Sequence, residues 1–190
     1  WDVAGKMLDR PVNVLLGGPF QDSIKMYSHG RNVNLLDKGS CREWAQRIKA
    51  APEGFTAFKI GVDPIVGIPS GRWAAPLDSD QVRKVGRAFQ NAREAVGEEI
   101  DIALHCHGEL DTPSAIRVAS AIEPVNPLFM EDALNAPYSE GWASLKRETR
   151  VTMLTGEKLE LLLQFKPFLD TQAVDIIHPD LAFAGGFTGT

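Results

Sequence analysis

Six short apolar runs recur along the chain, each closing on a polar cluster, and the stretches between them are spaced like helices rather than strands. The runs occupy residues 24–28, 55–60, 128–130, 151–154 and 174–177, with one more opening the stretch Asp101–Asp111. They are continuously apolar, with no polar alternate face, and hairpin turn signals are missing. A chain of this kind buries both faces of its strands, which points to a parallel sheet covered by helices. Two folds satisfy that pattern, a barrel and an open sheet. No Gly-x-Gly-x-x-Gly follows the first run and no phosphate-binding glycine loop occurs elsewhere, which removes the usual reason for the open sheet. The expected fold is therefore α/β, a (β/α) barrel. A full eight-stranded barrel takes about 250 residues, so six strands in 190 residues imply an incomplete one.

The intervening stretches support this reading. Val82, Val85, Phe89, Ala92 and Val96 mark one helix face, with a start at Asp78 or Ser79 and a stop at Gly97. Ser40 is placed to cap a helix carrying Trp44 and Ile48, and Thr112-Pro113 to start one carrying Ala115, Val118, Ala119 and Ile122. Trp142 and Leu145 lie on another, and the stretch from Leu159 to Phe165 reads as a helix broken at Pro167. Val3, Met7 and Leu8 are also helix-spaced, so residues 1–20 read as a lead-in to a partial barrel over residues 21–190. The segment through Pro64, Pro69, Gly71 and Pro76 is long for a plain connection, and such loops are often functional.

Composition narrows the function classes. A 44% hydrophobic content is enough for a sizeable core, and a formal net charge of −5 with no basic block offers no footprint for nucleic acid or an anionic membrane. Cys41 and Cys106 cannot form a disulfide framework, and no membrane span or signal peptide is visible, so a cytoplasmic location is expected. The start at Trp1 without methionine and the stop on Gly-Thr suggest a portion of a longer protein.

Chemistry-bearing residues gather at the ends of the runs: His29, Lys59, His105 and His107, Glu131 and Asp132, Glu157 and Lys158, His178 and Asp180. All four histidines of the chain are among them. Parallel barrels carry their active sites at the C-terminal ends of the strands. Strand alternation sends Ala103, His105 and His107 to one face and Ile102, Leu104 and Cys106 to the other. The same spacing of 26 residues separates His105 from Glu131 (105 to 131) and Glu131 from Glu157 (131 to 157), one strand-helix unit each. Carboxylates converging from adjacent strands repel unless a cation lies between them, so a divalent metal is one reading of His105, Glu131 and Glu157. The other is a polar ring in which the two glutamates pair with Lys59 and Lys158.

Several motifs together resemble the enolase superfamily: Trp-Asp-Val-Ala-Gly-Lys at the start, Leu-Leu-Gly-Gly at 15–18, Phe-Lys-Ile-Gly at 58–61, Met-Glu-Asp at 130–132, Thr-Gly-Glu at 155–157, and Asp-Ile-Ile-His-Pro-Asp-Leu through Gly-Gly at 175–186. The likeness is to the mandelate racemase group and its acid-sugar dehydratases, such as galactonate and mannonate dehydratases. It implies a (β/α)7β barrel with a capping domain that precedes Trp1, a homo-oligomeric state, and a small sugar-acid substrate. It also implies a Mg²⁺ ion on three strand-end acids, a base that takes the proton α to the carboxylate to give a metal-stabilised enediolate, and loss of the β-hydroxyl to a 2-keto-3-deoxy acid. By position, Glu131 and Glu157 match the second and third metal ligands, His107 the acid that protonates the leaving hydroxyl, and Asp180 the aspartate that orients a histidine base beyond Thr190. Asp180 capping its own turn is an equally open reading. Lys59 would assist the substrate carboxylate.

Two departures from the pattern carry consequences. The first ligand position is His105 rather than an acid, which makes Mn²⁺ or another transition metal possible beside Mg²⁺. Lys59-Ile60-Gly61 lacks the second lysine of Lys-x-Lys, which disfavours a two-base racemase. The expected function is a metal-dependent hydro-lyase of a sugar acid. Its alternatives are a ligand-binding or regulatory homologue without turnover, and an epimerase or cycloisomerase of the same superfamily.

Overall fold

The computed structural model describes residues 1–69 and 76–190. Its elements run α1 (Asp2–Leu8), α2 (Val12–Leu15), β1 (Ser28–His29), α3 (Lys38–Lys49), β2 (Ala57–Gly61), α4 (Asp63–Val66), α5 (Ser79–Val96), β3 (Asp101–His105), α6 (Thr112–Ile122), a 3-10 turn (Glu123–Val125), β4 (Met130–Glu131), α7 (Glu140–Glu148), β5 (Met153–Thr155), α8 (Leu161–Thr171), β6 (Ile176–Ile177) and α9 (Gly186–Gly189). The loop position Gly71 lies outside the described residues.

All six strands are parallel and pair in chain order, β1 to β6. Sequential order means that each crossover places its helix on the same face, which is the winding of a barrel rather than of a two-sided open sheet. The burial pattern agrees. Phe58, Ile60, Ile102, Leu104, Met130 and Met153 join the large core shared with the helices, whereas Ala103, Phe129 and Leu154 form a second, smaller cluster with Tyr27 on the inner face. The incomplete (β/α) barrel expected from the pattern of runs is the fold observed.

Local chemistry explains where the elements start and stop. Asp78 and Gln81 close a reciprocal capping box on α5, with Gln81 N donating to Asp78 Oδ1 at 2.8 Å and Asp78 N donating to Gln81 Oε1 at 3.0 Å. Gly97, at φ 80°, ends that helix as expected. At two other helix starts the cap falls on a neighbouring aspartate. Asp37, not Ser40, caps α3 by accepting from Ser40 N, and Asp111, not Thr112, caps α6 by accepting from Ser114 N. A carboxylate at the position before the first helical residue outcompetes the hydroxyl that follows it.

Pro167 does not break α8, which runs through it to Thr171. The helical donor lost to the proline would have served the carbonyl of Leu163, a residue 79% exposed where water can take its place, while Phe165 and Phe168 anchor the helix on the core. The strands are shorter than the apolar runs that mark them. The first keeps only Ser28–His29, and Ile24 and Met26 stay exposed. Both cysteines are free and buried, and no helix among the described residues is long and apolar enough to cross a membrane.

Candidate functional site

Register decides which strand ends meet. His105 pairs with Glu131 at one level of the sheet, and the β5 partner of Glu131 is Leu154, not Glu157. The equal spacing in sequence is therefore not equal height in the sheet. Glu157 lies past the end of β5, beyond Gly156, whose φ of 139° and close packing on the His178 backbone leave no room for a side chain. From there its carboxylate reaches the imidazole of β3, with Oε1 3.6 Å from His105 Nε2. Glu131 Oε1 lies 4.0 Å and Asp132 Oδ2 3.9 Å from the same nitrogen. One donor atom from each of His105, Glu131, Asp132 and Glu157 lies within 4.8 Å of the others, a group able to hold a metal ion.

Asp132 is the member of this cluster to which the sequence reading gives no role, although the Met-Glu-Asp motif contains it. Its backbone is left-handed, at φ 46°, and its Oδ1 accepts from Thr155 Oγ1 at 2.7 Å, so its Oδ2 is turned toward His105. Burial raises the Asp132 carboxyl above its ordinary value, with Glu157 and Glu131 adding to the rise. Glu157 goes the opposite way. The nearness of His105 holds it down to about 2 against the effect of burial, with Lys158 and Lys59 contributing.

Lys59 comes up from the level below, where it pairs with Ala103, and places its ammonium 2.9 Å from Oε1 and 2.8 Å from Oε2 of Glu131. Both side chains are almost wholly buried, so the Lys59–Glu131 pairing of the alternative reading is present and shielded from water. Burial pushes the Glu131 carboxyl up, but His178, Lys59 and His105 outweigh it and leave a net lowering. Burial alone would lower Lys59, and Glu131 reverses that. Lys158, by contrast, is half-exposed, 3.7 Å from Glu157, and donates to the His107 carbonyl at 2.7 Å.

His107 lies two residues past His105, beyond the strand end and at φ 55°, yet its ring returns to the same side. The two imidazole centroids are 3.8 Å apart. His107 Nδ1 faces Asp63 Oδ1 at 3.3 Å, which presents Nε2 away from that carboxylate. Asp63 raises His107 above its ordinary value, opposed by burial and helped by Glu109 and Glu157. Asp63 and Glu109 form a second metal-capable group with His107. Asp63 lies two residues past the end of β2 and Glu109 four residues past the end of β3, so both acids sit just beyond the strand ends.

His178 also faces the cluster, its Nδ1 3.4 Å from Glu131 Oε1, and that contact raises it against burial. Asp180 is exposed, and its Oδ1 accepts from the backbone N–H groups of Ala182 and Phe183. Its hydrogen bonds close its own turn. His29, the fourth histidine, is lowered by burial and by Lys59.

Whether these residues suit a divalent cation can be judged from the atoms themselves. His105 Nε2 and Asp132 Oδ2 are buried without a hydrogen-bond partner among the described residues. Native interiors rarely leave such atoms unmatched unless something else binds them. Two donors on one ion, each about 2.1 Å from it, stand roughly 3–4 Å apart, and the separations from His105 Nε2 fall in that range. The cluster suits a cation.

Comparisons with known proteins point the same way. The enolase C-terminal domain-like family matches residues 41–190. A D-gluconate dehydratase from Thermoproteus tenax is 30% identical over 190 residues, covering all of this chain and 36% of that protein. The crystal structure of a mandelate racemase/muconate lactonizing enzyme-like protein from Rubrobacter xylanophilus DSM 9941 superposes with a TM-score of 0.84 at 32% identity, over the whole chain and 51% of the other. An enolase from Agrobacterium radiobacter, a candidate galactarate dehydratase with Na and L-malate bound, gives a TM-score of 0.83 at 28% identity, over the whole chain and 46% of the other. The chain thus spans about half the length of these solved relatives and about a third of the curated one.

Proposed function

The chain belongs to the enolase C-terminal domain-like family, and on that premise we propose that it carries the metal-binding and acid-catalytic part of a sugar-acid dehydratase, a carbon–oxygen lyase. The observation that carries this reading is the convergence of His105, Glu131, Asp132 and Glu157 at the strand ends with the His107 ring stacked beside them. The dehydratase names of its relatives support the reaction class.

In this reading His105, Glu131 and Glu157 hold a divalent cation, Mg²⁺ by resemblance, or Mn²⁺ or another transition metal given His105. When bound, such a cation would hold the substrate carboxylate and offset the negative charge that develops as the α-proton leaves. The remaining work falls to the chain's own side chains. Asp63 fixes His107 through Nδ1, so the Nε2 proton can be delivered to the β-hydroxyl, which departs as water. The Asp63 carboxylate shifts His107 toward its protonated form, the state this task requires. Lys59, which also holds Glu131, is assigned to assist the substrate carboxylate. Asp180 is assigned to orient a histidine base located outside these 190 residues.

Gly61 pairs with His105 in the register and carries no side chain that could act as a second base, which favours one-base elimination over two-base racemisation. The test is to incubate the intact protein with a panel of sugar acids plus Mg²⁺ or Mn²⁺ and to assay 2-keto-3-deoxy acids. Metal-dependent product is expected. Absence of metal binding would end the proposal, and binding without product from any sugar acid would favour a ligand-binding homologue.

A further inference from the structure

Resting on the reading above only in that a cation occupies this site, we infer that the site selects a borderline transition ion, of the Co²⁺ or Zn²⁺ kind, over Mg²⁺, and that Asp132 is its fourth ligand beside His105, Glu131 and Glu157.

The donor chemistry is the first support. Mg²⁺ demands hard oxygen ligands and sheds water reluctantly, whereas an imidazole nitrogen suits the later first-row divalent ions. His105 is not a bystander here: its side chain is 6% exposed, its Nε2 has no hydrogen-bond partner among the described residues, and that atom faces all three carboxylates. A nitrogen so placed has a ligand's position.

The same reasoning brings in Asp132. It is 3% exposed, Thr155 occupies its Oδ1, and its Oδ2 is buried without a hydrogen-bond partner among the described residues and within reach of His105 Nε2. One nitrogen and three oxygens then converge from four residues, a mixed donor set that the later first-row divalent ions accept.

Charge gives a third support. With all three carboxylates ionised the group carries −3, and the Lys59 ammonium on Glu131 returns +1. The remaining −2 balances one divalent ion with a neutral imidazole as the fourth donor. An acid at position 105 in place of the neutral imidazole would add one further negative charge to the group. His178 Nδ1 is a further buried nitrogen facing the Glu131 carboxylate, so the surroundings of the site are themselves rich in imidazole.

The test uses the intact protein, stripped with a chelator and titrated with Co²⁺, whose visible absorption reports nitrogen ligation and low coordination number directly and without turnover. One equivalent should bind with an intense visible band, and Mg²⁺ should fail to displace it even at about 10²-fold excess. Asp132→Asn should weaken Co²⁺ by at least about tenfold, and His105→Asp should lower the Co²⁺ to Mg²⁺ affinity ratio by at least as much and bleach the band. Displacement of Co²⁺ by equimolar Mg²⁺ from the unsubstituted protein overturns the inference whether or not the variants fold. An unchanged ratio in a folded His105→Asp protein also overturns it. Strong Co²⁺ binding without any sugar-acid product would overturn the dehydratase reading and leave this one standing.

Discussion

β3 divides the molecule, and its two faces obey different rules. Ile102 and Leu104, with Cys106 just beyond the strand, are fully buried in the large core against the helices. The opposite face carries Ala103 on the inner cluster and then His105, whose Nε2 meets three carboxylates instead of apolar carbon. One residue of offset separates cohesion from chemistry, because successive strand side chains alternate faces. Stability and activity should therefore be separable by single substitutions on neighbouring residues.

The largest expected effect attacks the inner face. Glu157→Gln removes a ligand from a side chain that is only partly buried, so turnover should fall by about 10³-fold, equivalent to roughly 4 kcal/mol of barrier. With metal chelated, stability at neutral pH should fall only by what the contact of Glu157 with His105 contributes, and that loss should vanish as pH drops from about 4.5 toward 2. A loss that persists at pH 2 would break the division between the faces.

Next in size is Leu104→Ala on the outer face. It should cost about 3 kcal/mol in denaturant unfolding, through lost burial and the cavity left behind, while metal affinity of the folded protein stays within about twofold. An equal loss of metal affinity would show that the two faces are coupled.

The smallest effect lies in the acid limb of stability with metal chelated. The folded value for Glu157 is about 2, against 4.5 for the free side chain. The stability it contributes is therefore complete above about pH 4.5 and is lost as pH falls from there toward 2. Glu157→Gln should flatten that window in equilibrium unfolding measured from pH 5 to pH 2, and an unchanged slope would refute the assignment.

The contrast also explains what could be read before folding. α5 was legible because its start at Asp78 and its stop at Gly97 each act within one turn of themselves. The strand order and the set of strand-end residues followed from periodicity. Asp63, Asp132 and His178 did not acquire roles that way, because their meaning lies in distances across strands: 3.3 Å to His107, 3.9 Å to His105 and 3.4 Å to Glu131. The height of Glu157 was hidden for a similar reason, since counting residues cannot show that β5 meets Glu131 at Leu154. Pro167 misled because its cost depends on whether water reaches the carbonyl it deprives, which burial alone reveals.

The pairing of Lys59 with both oxygens of Glu131 bears on the order of events in making this protein. A carboxylate this deep would oppose collapse of the chain if it had to wait for an ion from solution, as happens in small zinc domains, where loading and folding are one step. Here the counter-charge is encoded 72 residues away on β2, two strands across the sheet from Glu131. The fold can close first on its own lysine and receive its metal afterwards, so the two processes are free to occur at different times and under different supplies of ion.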